Sequence, residues 1–223
     1  MIINTRYFVN DIHIPNIGDN TPIETGNQNR AQWFIDVYER EALIFGLGRQ
    51  LYEEFISNIE QDPLNIDYGN LLIGADVIWE RLLNGYTYTI GSRQYYWNGL
   101  RYTINNSSNT VYKSLLAYYV YYRYVENNVS NLTDLGVAAE NVKNADLVSP
   151  APKMVFAWRE FHKMYGVNTE NYNRRFSYPI YYPGELNVYG TGEVSLYKFL
   201  RDNRSDYPTW QFTNLENKNS FGL

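Results

Sequence analysis

The chain has 223 residues, no Cys, 44% hydrophobic residues and a formal net charge of -5. That share of hydrophobic residues supports a sizeable core in one large domain or two small ones. Without Cys there are no disulfides, thiolate metal sites or Cys nucleophiles, and an acidic chain without a basic run is poorly suited to sequence-independent nucleic-acid binding. Aromatic residues reach 17%, with 23 Tyr and 5 Trp, a composition that suits half-wet contacts and protein interfaces.

Residues 1–26 read as an N-terminal arm. Ile2, Ile3, Tyr7, Phe8 and Val9 fit a short strand, and Pro15, Gly18, Pro22 and Gly26 then interrupt any regular element. The arm is expected either to form a polar surface loop or to extend along a partner. Residues 27–59 carry the clearest period in the chain. Trp33, Val37, Ile44, Leu47, Leu51 and Phe55 recur at helical spacing, with Phe34, Tyr38, Phe45, Tyr52, Ile56 and Ile59 in a second row beside them. The wide apolar face predicts a long helix with neighbours on more than one side. Thr25 and Gln28 fit a capping box before it. Gly46 and Gly48 predict either a kink or the close approach of another backbone.

The long helix is expected to stop before Asp62-Pro63. A second helix is expected over about 68–84, with Leu71, Leu72, Ala75, Ile78, Trp79 and Leu82 on its apolar face and Asn84-Gly85 as its stop. The period then changes to two. Tyr86 to Ile90 and Arg93 to Trp97 flank Gly91-Ser92, which predicts a β-hairpin. Such a hairpin is marginal alone and must lie on the helices or on another subunit. Asn98-Gly99 signals a further turn, and residues 107–109 offer caps for a helix over about 110–128. That helix is aromatic nearly all round, so it is either central in a bundle or in contact with partners.

The linker that follows is polar. Ser149-Pro150 starts a final core helix, with Met154, Ala157, Trp158, Phe161 and Tyr165 on its buried face and Gly166 at its end. Residues 167–223 show no sustained period apart from a short helix over 195–203. They are unusually aromatic for a tail, with Tyr178, Tyr181, Tyr182, Tyr189, Trp210 and Phe212 among them. The segment either folds back on its own domain or docks on a neighbour. On the second reading, removing residues 170–223 leaves a folded helical core that no longer docks.

Little in the chain points to catalysis. Its two His, His13 and His162, have no His or carboxylate at helical ligand spacing, so no metal site is assigned. There is no Gly-rich phosphate loop, no G-x-S-x-G, and no cofactor motif. The carboxylate pairs Glu39-Glu41 and Glu53-Glu54 read as solvated charges on a surface helix. No secretory signal is apparent at the N-terminus. The apolar run over 115–125 is too short to cross a bilayer and contains Arg123. The expectation is a protein that does not engage membranes.

The order of parts nevertheless forms a pattern. W-x-x-x-x-Y-E-R-E-x-L-x-x-x-L-G-x-x-L-Y-x-E-F runs from Trp33 to Phe55, and W-N-G-L closes the hairpin from Trp97 to Leu100. S-L-L-A-Y-Y-V-Y-Y-R-Y runs from Ser114 to Tyr124, and S-P-x-x-K-M-V-x-A-W from Ser149 to Trp158. This resembles the head–tail connector (adaptor) proteins of tailed bacteriophages, in particular those of Bacteroidetes-infecting, crAss-like phages. The likeness covers roughly residues 28–165 and rests on structural motifs.

The resemblance implies a mainly α fold: a small helical bundle with a β-hairpin insertion and a long extended C-terminal segment. It divides the chain into an arm at 1–26, a connector core at 27–166 with the hairpin at 86–97, and a C-terminal segment at 167–223. It further implies a non-enzymatic virion subunit, made in the host cytoplasm and sited in the tail or neck region. Copies form a ring, commonly a dodecamer, below the portal protein and contact other tail and ring proteins. DNA passes through without specific binding, and no cofactor is needed. The expected interface residues are Tyr86, Tyr88, Tyr95 and Trp97 of the hairpin, with Tyr178, Tyr181, Tyr182, Tyr189, Trp210 and Phe212 of the C-terminal segment. Two other readings compete: an aromatic-rich carbohydrate-binding module, because exposed Tyr and Trp stack on sugars, and an enzyme with a dispersed site.

Overall fold

The computed structural model describes residues 1–14, 30–62, 64–106, 109–129, 131–133, 136–138, 151–166 and 192–215. The expected capping box at Thr25 and Gln28, the Ser149-Pro150 helix start, and Tyr178, Tyr181, Tyr182 and Tyr189 lie outside these residues.

Gly48 divides the long N-terminal helix in two. Helix α1 spans Arg30–Leu47 and α2 spans Arg49–Ile56. Between them Gly48 adopts φ 78°, ψ 157°, a left-handed conformation that L side chains rarely take. Both expectations for the glycine pair are met at once, because the break coincides with a crossing backbone. A Cβ on Gly48 would lie 2.7 Å from Gln211 Cβ and 2.8 Å from the Gln211 carbonyl oxygen, and one on Gly46 would lie 2.8 Å from Leu196 Cδ2.

The buried face of α1 is rotated from the expected stripe. Phe34, Ile35, Tyr38, Ala42, Leu43 and Leu47 are buried, whereas Trp33 and Val37 are 45% and 38% exposed. The arm is also corrected in its first half. Its described residues form two 3-10 turns, Thr5–Tyr7 and Asn10–Ile12, and bury Ile2, Ile3, Phe8, Ile12 and Ile14 in the core.

The second helix is shorter than its apolar pattern predicted. Helix α3 covers only Val77–Asn84, with Asp76 as N-cap accepting from Ile78 N at 3.1 Å. Gly69 and Gly74 upstream have φ 78° and 88°, which an α-helix cannot accommodate, so residues 64–76 form a turn-rich loop. Strands β1 (Tyr86–Ile90) and β2 (Arg93–Trp97) pair antiparallel with Tyr88 opposite Tyr95.

A second hairpin follows where a helix was expected to begin. β3 (Arg101–Asn106) pairs with β4 (Asn109–Ser114), Ile104 facing Val111. Helix α4 starts only at Leu115 and runs to Val129. Its start is set by Ser114, whose hydroxyl accepts from Leu116 N at 3.1 Å and donates to Leu100 O at 2.6 Å. A three-residue pair follows, β5 (Asn131–Thr133) with β6 (Gly136–Ala138). Helix α5 spans Ala151–Tyr165 and α6 spans Leu196–Asp202, the latter capped by Ser195.

The expected mainly α class is therefore corrected to mixed α and β. About half of the described residues are helical and 17% lie in strands arranged as small antiparallel sheets. Helix α4 is central, packing on α1 and on α5. Every side chain from Leu115 to Tyr122 on it is buried, as its all-round apolar character required.

The C-terminal segment completes this core. Val194, Phe199, Leu200 and Tyr207 are fully buried, so removing residues 170–223 would take out core side chains rather than free a docking tail. Gly48→Ala should lower stability by about 3 kcal/mol or more, through the left-handed backbone cost and the clash with the Gln211 backbone together. Gly74→Ala, with similar φ but nothing within 4 Å of its Cβ, should cost only about 1 kcal/mol. Equal midpoint shifts for the two variants in urea would rule out the close approach as the reason for Gly48.

Candidate functional site

The hairpin β1–β2 has two unlike faces because alternate side chains point to opposite sides. On one face Tyr86, Tyr88, Tyr95 and Trp97 form an aromatic ladder, with ring centroids 6.0 Å apart for Tyr86–Tyr88 and 5.6 Å for Tyr88–Tyr95. Helix α6 lies against this face. Trp97 stacks on Phe199 at 5.5 Å with planes 12° apart, and its indole N–H donates to Leu82 O at 3.1 Å. The opposite face presents Thr87, Thr89, Gln94 and half-exposed Tyr96 to solvent. The outer edge of β2 is covered by residues 192–194, with Tyr96 N donating to Gly192 O at 2.8 Å and Val194 N to Tyr96 O at 2.9 Å.

A buried polar cluster joins hairpin to helix. Lys198 Nζ reaches Asp202 Oδ2 at 2.7 Å, their side chains only 9% and 8% exposed. Tyr88 OH donates to the same oxygen at 2.8 Å, and Lys198 Nζ sits 4.3 Å from the Tyr95 ring centroid. Burial, with the bond to Asp202, holds the Tyr88 phenol well above its usual range. Each charge is compensated and the cluster is closed off by aromatic rings, so its chemistry is that of a clasp.

Four of the expected interface residues are thereby placed inside the chain. Tyr88, Trp97 and Trp210 are 8%, 3% and 6% exposed. Phe212 is partly buried, with its ring 4.6 Å from that of Tyr165. Tyr86 and Tyr95 are half-buried, Tyr86 under the Arg81 guanidinium at 4.4 Å. These aromatic faces are occupied by their own fold, and neither a partner nor a sugar could stack on Trp97 without displacing Phe199.

The carboxylate pair read as solvated is also corrected. Glu39 is 3% exposed, and its two oxygens accept from Ile2 N and Ile3 N at 2.9 Å each. Burial pushes its carboxyl up to about 7, against the two N–H bonds that favour the anion. Glu41 accepts from Tyr119 OH and lies 3.9 Å from Arg123 Nε. Helical spacing alone placed Glu39 on the polar face, and the only available signal was its position one turn from the buried Ile35 and Leu43.

His162 lies beside Trp158, ring centroids 4.6 Å apart. Burial drives its imidazole down to about 4, partly opposed by a backbone hydrogen bond with Leu215, and Nε2 has no partner among the described residues. Among the described residues no group of three or more His, Asp or Glu could hold a metal ion, and no helix is long and apolar enough to cross a membrane. A cavity of about 300 Å³ lies elsewhere, between the 3-10 turns, β4 and α4, with Tyr7, Asp11, Lys113 and Tyr118 in its wall.

The arrangement defines a mixed α and β protein whose hairpin is clasped by a C-terminal helix. By sequence the chain belongs to the Family of unknown function (DUF6712), whose profile matches residues 47–154 and 195–220, together more than half of the chain. The two matched segments are those that meet in space, at the hairpin–α6 clasp and at the Gly48–Gln211 crossing. No curated protein and no solved structure matches the chain.

Two measurements test these groups. Asp202→Ala strands a buried Lys198 and should cost about 3–5 kcal/mol. Asp206→Ala, which removes the one-third-exposed pair with Arg81, should cost about 1 kcal/mol or less. Comparable losses would mean that the clasp is solvated.

The pH dependence follows from the opposed shifts. His162, depressed in the folded state, contributes full stability above about pH 6.5 and loses it as pH falls towards 4, reaching about 3 kcal/mol. Glu39, raised in the folded state, contributes stability below about pH 4.5 that is lost as pH rises through 7. The two slopes oppose each other between these limits. Relative to wild type, His162→Leu should therefore lose stability, and Glu39→Gln gain it, as pH is raised from 4.5 to 6.5. Urea midpoints that move in parallel for all three proteins would exclude this assignment.

Proposed function

We propose that this protein is a structural subunit of a tailed-phage virion: a head–tail connector that forms a ring beneath the portal protein, extends the DNA channel and joins capsid to tail. The observation that carries the reading is how the resembling motifs use their residues. Tyr38 and Glu41 of the first motif meet Tyr119 and Arg123 of the third, through the Tyr119–Glu41 hydrogen bond and Arg123 over the Tyr38 ring at 4.7 Å. Trp158 of the last motif packs on Tyr122 at 4.7 Å. The motif side chains hold helices together, as those of a scaffold do, and the role is non-catalytic.

The acidic balance of the chain fits a conduit, since a basic lumen would retain DNA through its phosphates. The subunit contacts its own copies, the portal protein and neighbouring tail proteins, with no cofactor and no membrane. The purified chain should give discrete closed oligomers near twelve copies by mass photometry, alone or when mixed with the portal protein. A strict monomer in both conditions would overturn the ring.

A further inference from the structure

The loop between α2 and α3 is built inside out. Leu64, Ile66 and Ile73 are 93%, 96% and 106% exposed. Single exposed aliphatic residues are ordinary, but three on one short loop are not. The polar side chains of this loop turn onto its own backbone instead. Glu60 accepts from Asp62 N and Asn65 Nδ2, Asp62 from Leu64 N, and Asn65 from Asp67 N. Its base is pinned by Glu60 N to Asn70 O and Leu72 N to Asn58 O. The aliphatic side chains thus project from a backbone already held in shape, which lowers the ordering cost of docking.

The complement to this loop lies on the same chain. Between Arg49 and Arg81 there are seven Asp or Glu and no Lys or Arg. The solvent side of α5 has the opposite character: Lys153, Phe156, Arg159 and Lys163 are all exposed and fall along one side of the helix. Among the described residues only Glu160 pairs with any of these cations, at 3.9 Å from Lys163. The stripe is therefore basic with an aromatic centre, and the loop acidic with an aliphatic tip. Within the chain they are anchored separately, the loop to α2 and the N-terminal backbone, α5 to α4 and α6.

We propose that the loop of one copy docks on the outer stripe of α5 of the next copy. This rests on the ring reading and names the surfaces through which copies would meet. Because the two surfaces differ, the contact is head-to-tail, the type that closes a ring or extends a filament. Its charge pairing is screened by salt.

The absence of Cys makes the test clean. Ile66→Cys and Phe156→Cys are prepared as separate variants, mixed, and treated with a short bifunctional maleimide, while mass photometry follows assembly of the untreated mixture. Crosslinked dimer is expected from the mixture and not from either variant alone, at least tenfold less of it in 0.5 M salt. Lys153→Glu with Arg159→Glu should abolish it, and Asp67→Lys with Glu80→Lys in the Ile66→Cys partner should restore it. Circular dichroism checks that each variant is folded. Crosslinking of Ile66→Cys to itself would overturn the head-to-tail contact. Assembly without crosslinking in the mixture would overturn these surfaces and leave the ring standing. Neither assembly nor crosslinking, with or without the portal protein, would overturn both.

Discussion

The last four carbonyls of an α-helix have no partner within it, and in α1 these belong to residues 44–47. Gly48 N bonds to Ile44 O at 2.9 Å. The other three are met from the far end of the chain: Thr213 N to Phe45 O at 2.9 Å, the Trp210 indole N–H to Gly46 O at 2.8 Å, and Gln211 N to Leu47 O at 3.1 Å. Breaking the helix at Gly48 creates the acceptors, and the lack of a Cβ there gives the second strand of backbone room to reach them. A buried helix end without such partners would cost several kcal/mol in unmet carbonyls, at about 1–3 kcal/mol each. The C-terminal segment is thus a structural requirement of the first helix, and α6, which leads into it, is carried onto the hairpin as a consequence.

A similar economy governs the N-terminal end. Two backbone N–H groups at Ile2 and Ile3 would be buried and unpaired among apolar neighbours, and Glu39 supplies both acceptors. Arg101 then takes Ile2 O at 3.1 Å and Asn70 Oδ1 at 2.6 Å, tying the first residues to β3 and to the loop after α2. The first residues and the stretch 210–213 are therefore fastened to different parts of α1, one by a carboxylate midway along its side and the other by the carbonyls at its C-terminal tip.

These two fastenings explain what was legible in the sequence and what was not. Local features were readable where a single period or a single turn decides them: the alternation on either side of Gly91-Ser92, the α5 face of Met154, Ala157, Phe161 and Tyr165, and the short helix α6. Features decided by remote partners were not. Nothing within several residues of Glu39 announces that Ile2 will need an acceptor. The apolar run over 71–82 looks helical until Gly69 and Gly74 take positive φ. The Thr110 to Lys113 stretch reads equally as the first turn of a helix or as a strand, and the facing β-prone residues Tyr102 to Ile104 decided it. Trp33 and Val37 fitted the expected stripe, yet the helix turned Ile35 and Leu43 inward. Tyr88 and Trp97, expected at an outward interface, were misread for the same reason, since α6 had no visible assignment to the hairpin face.

The tyrosine content has a physical reading that differs from an interface signal. Tyr165 OH donates to Thr213 O at 2.7 Å, Tyr207 OH to Ile78 O at 2.7 Å, Tyr88 OH to Asp202 at 2.8 Å and Tyr119 OH to Glu41. In each case the ring fills the core and the hydroxyl reaches an acceptor on a different element. A phenylalanine core would pack as well but leave those acceptors bare, so in a fold held together by segments distant in sequence Tyr serves both demands with one side chain. Burial accordingly keeps the Tyr165, Tyr207, Tyr88 and Tyr119 phenols above their ordinary range, which favours the donor form that these bonds require. With these four rings assigned to the interior, the most exposed apolar side chains among the described residues are aliphatic: Leu64, Ile66 and Ile73, on the loop before α3.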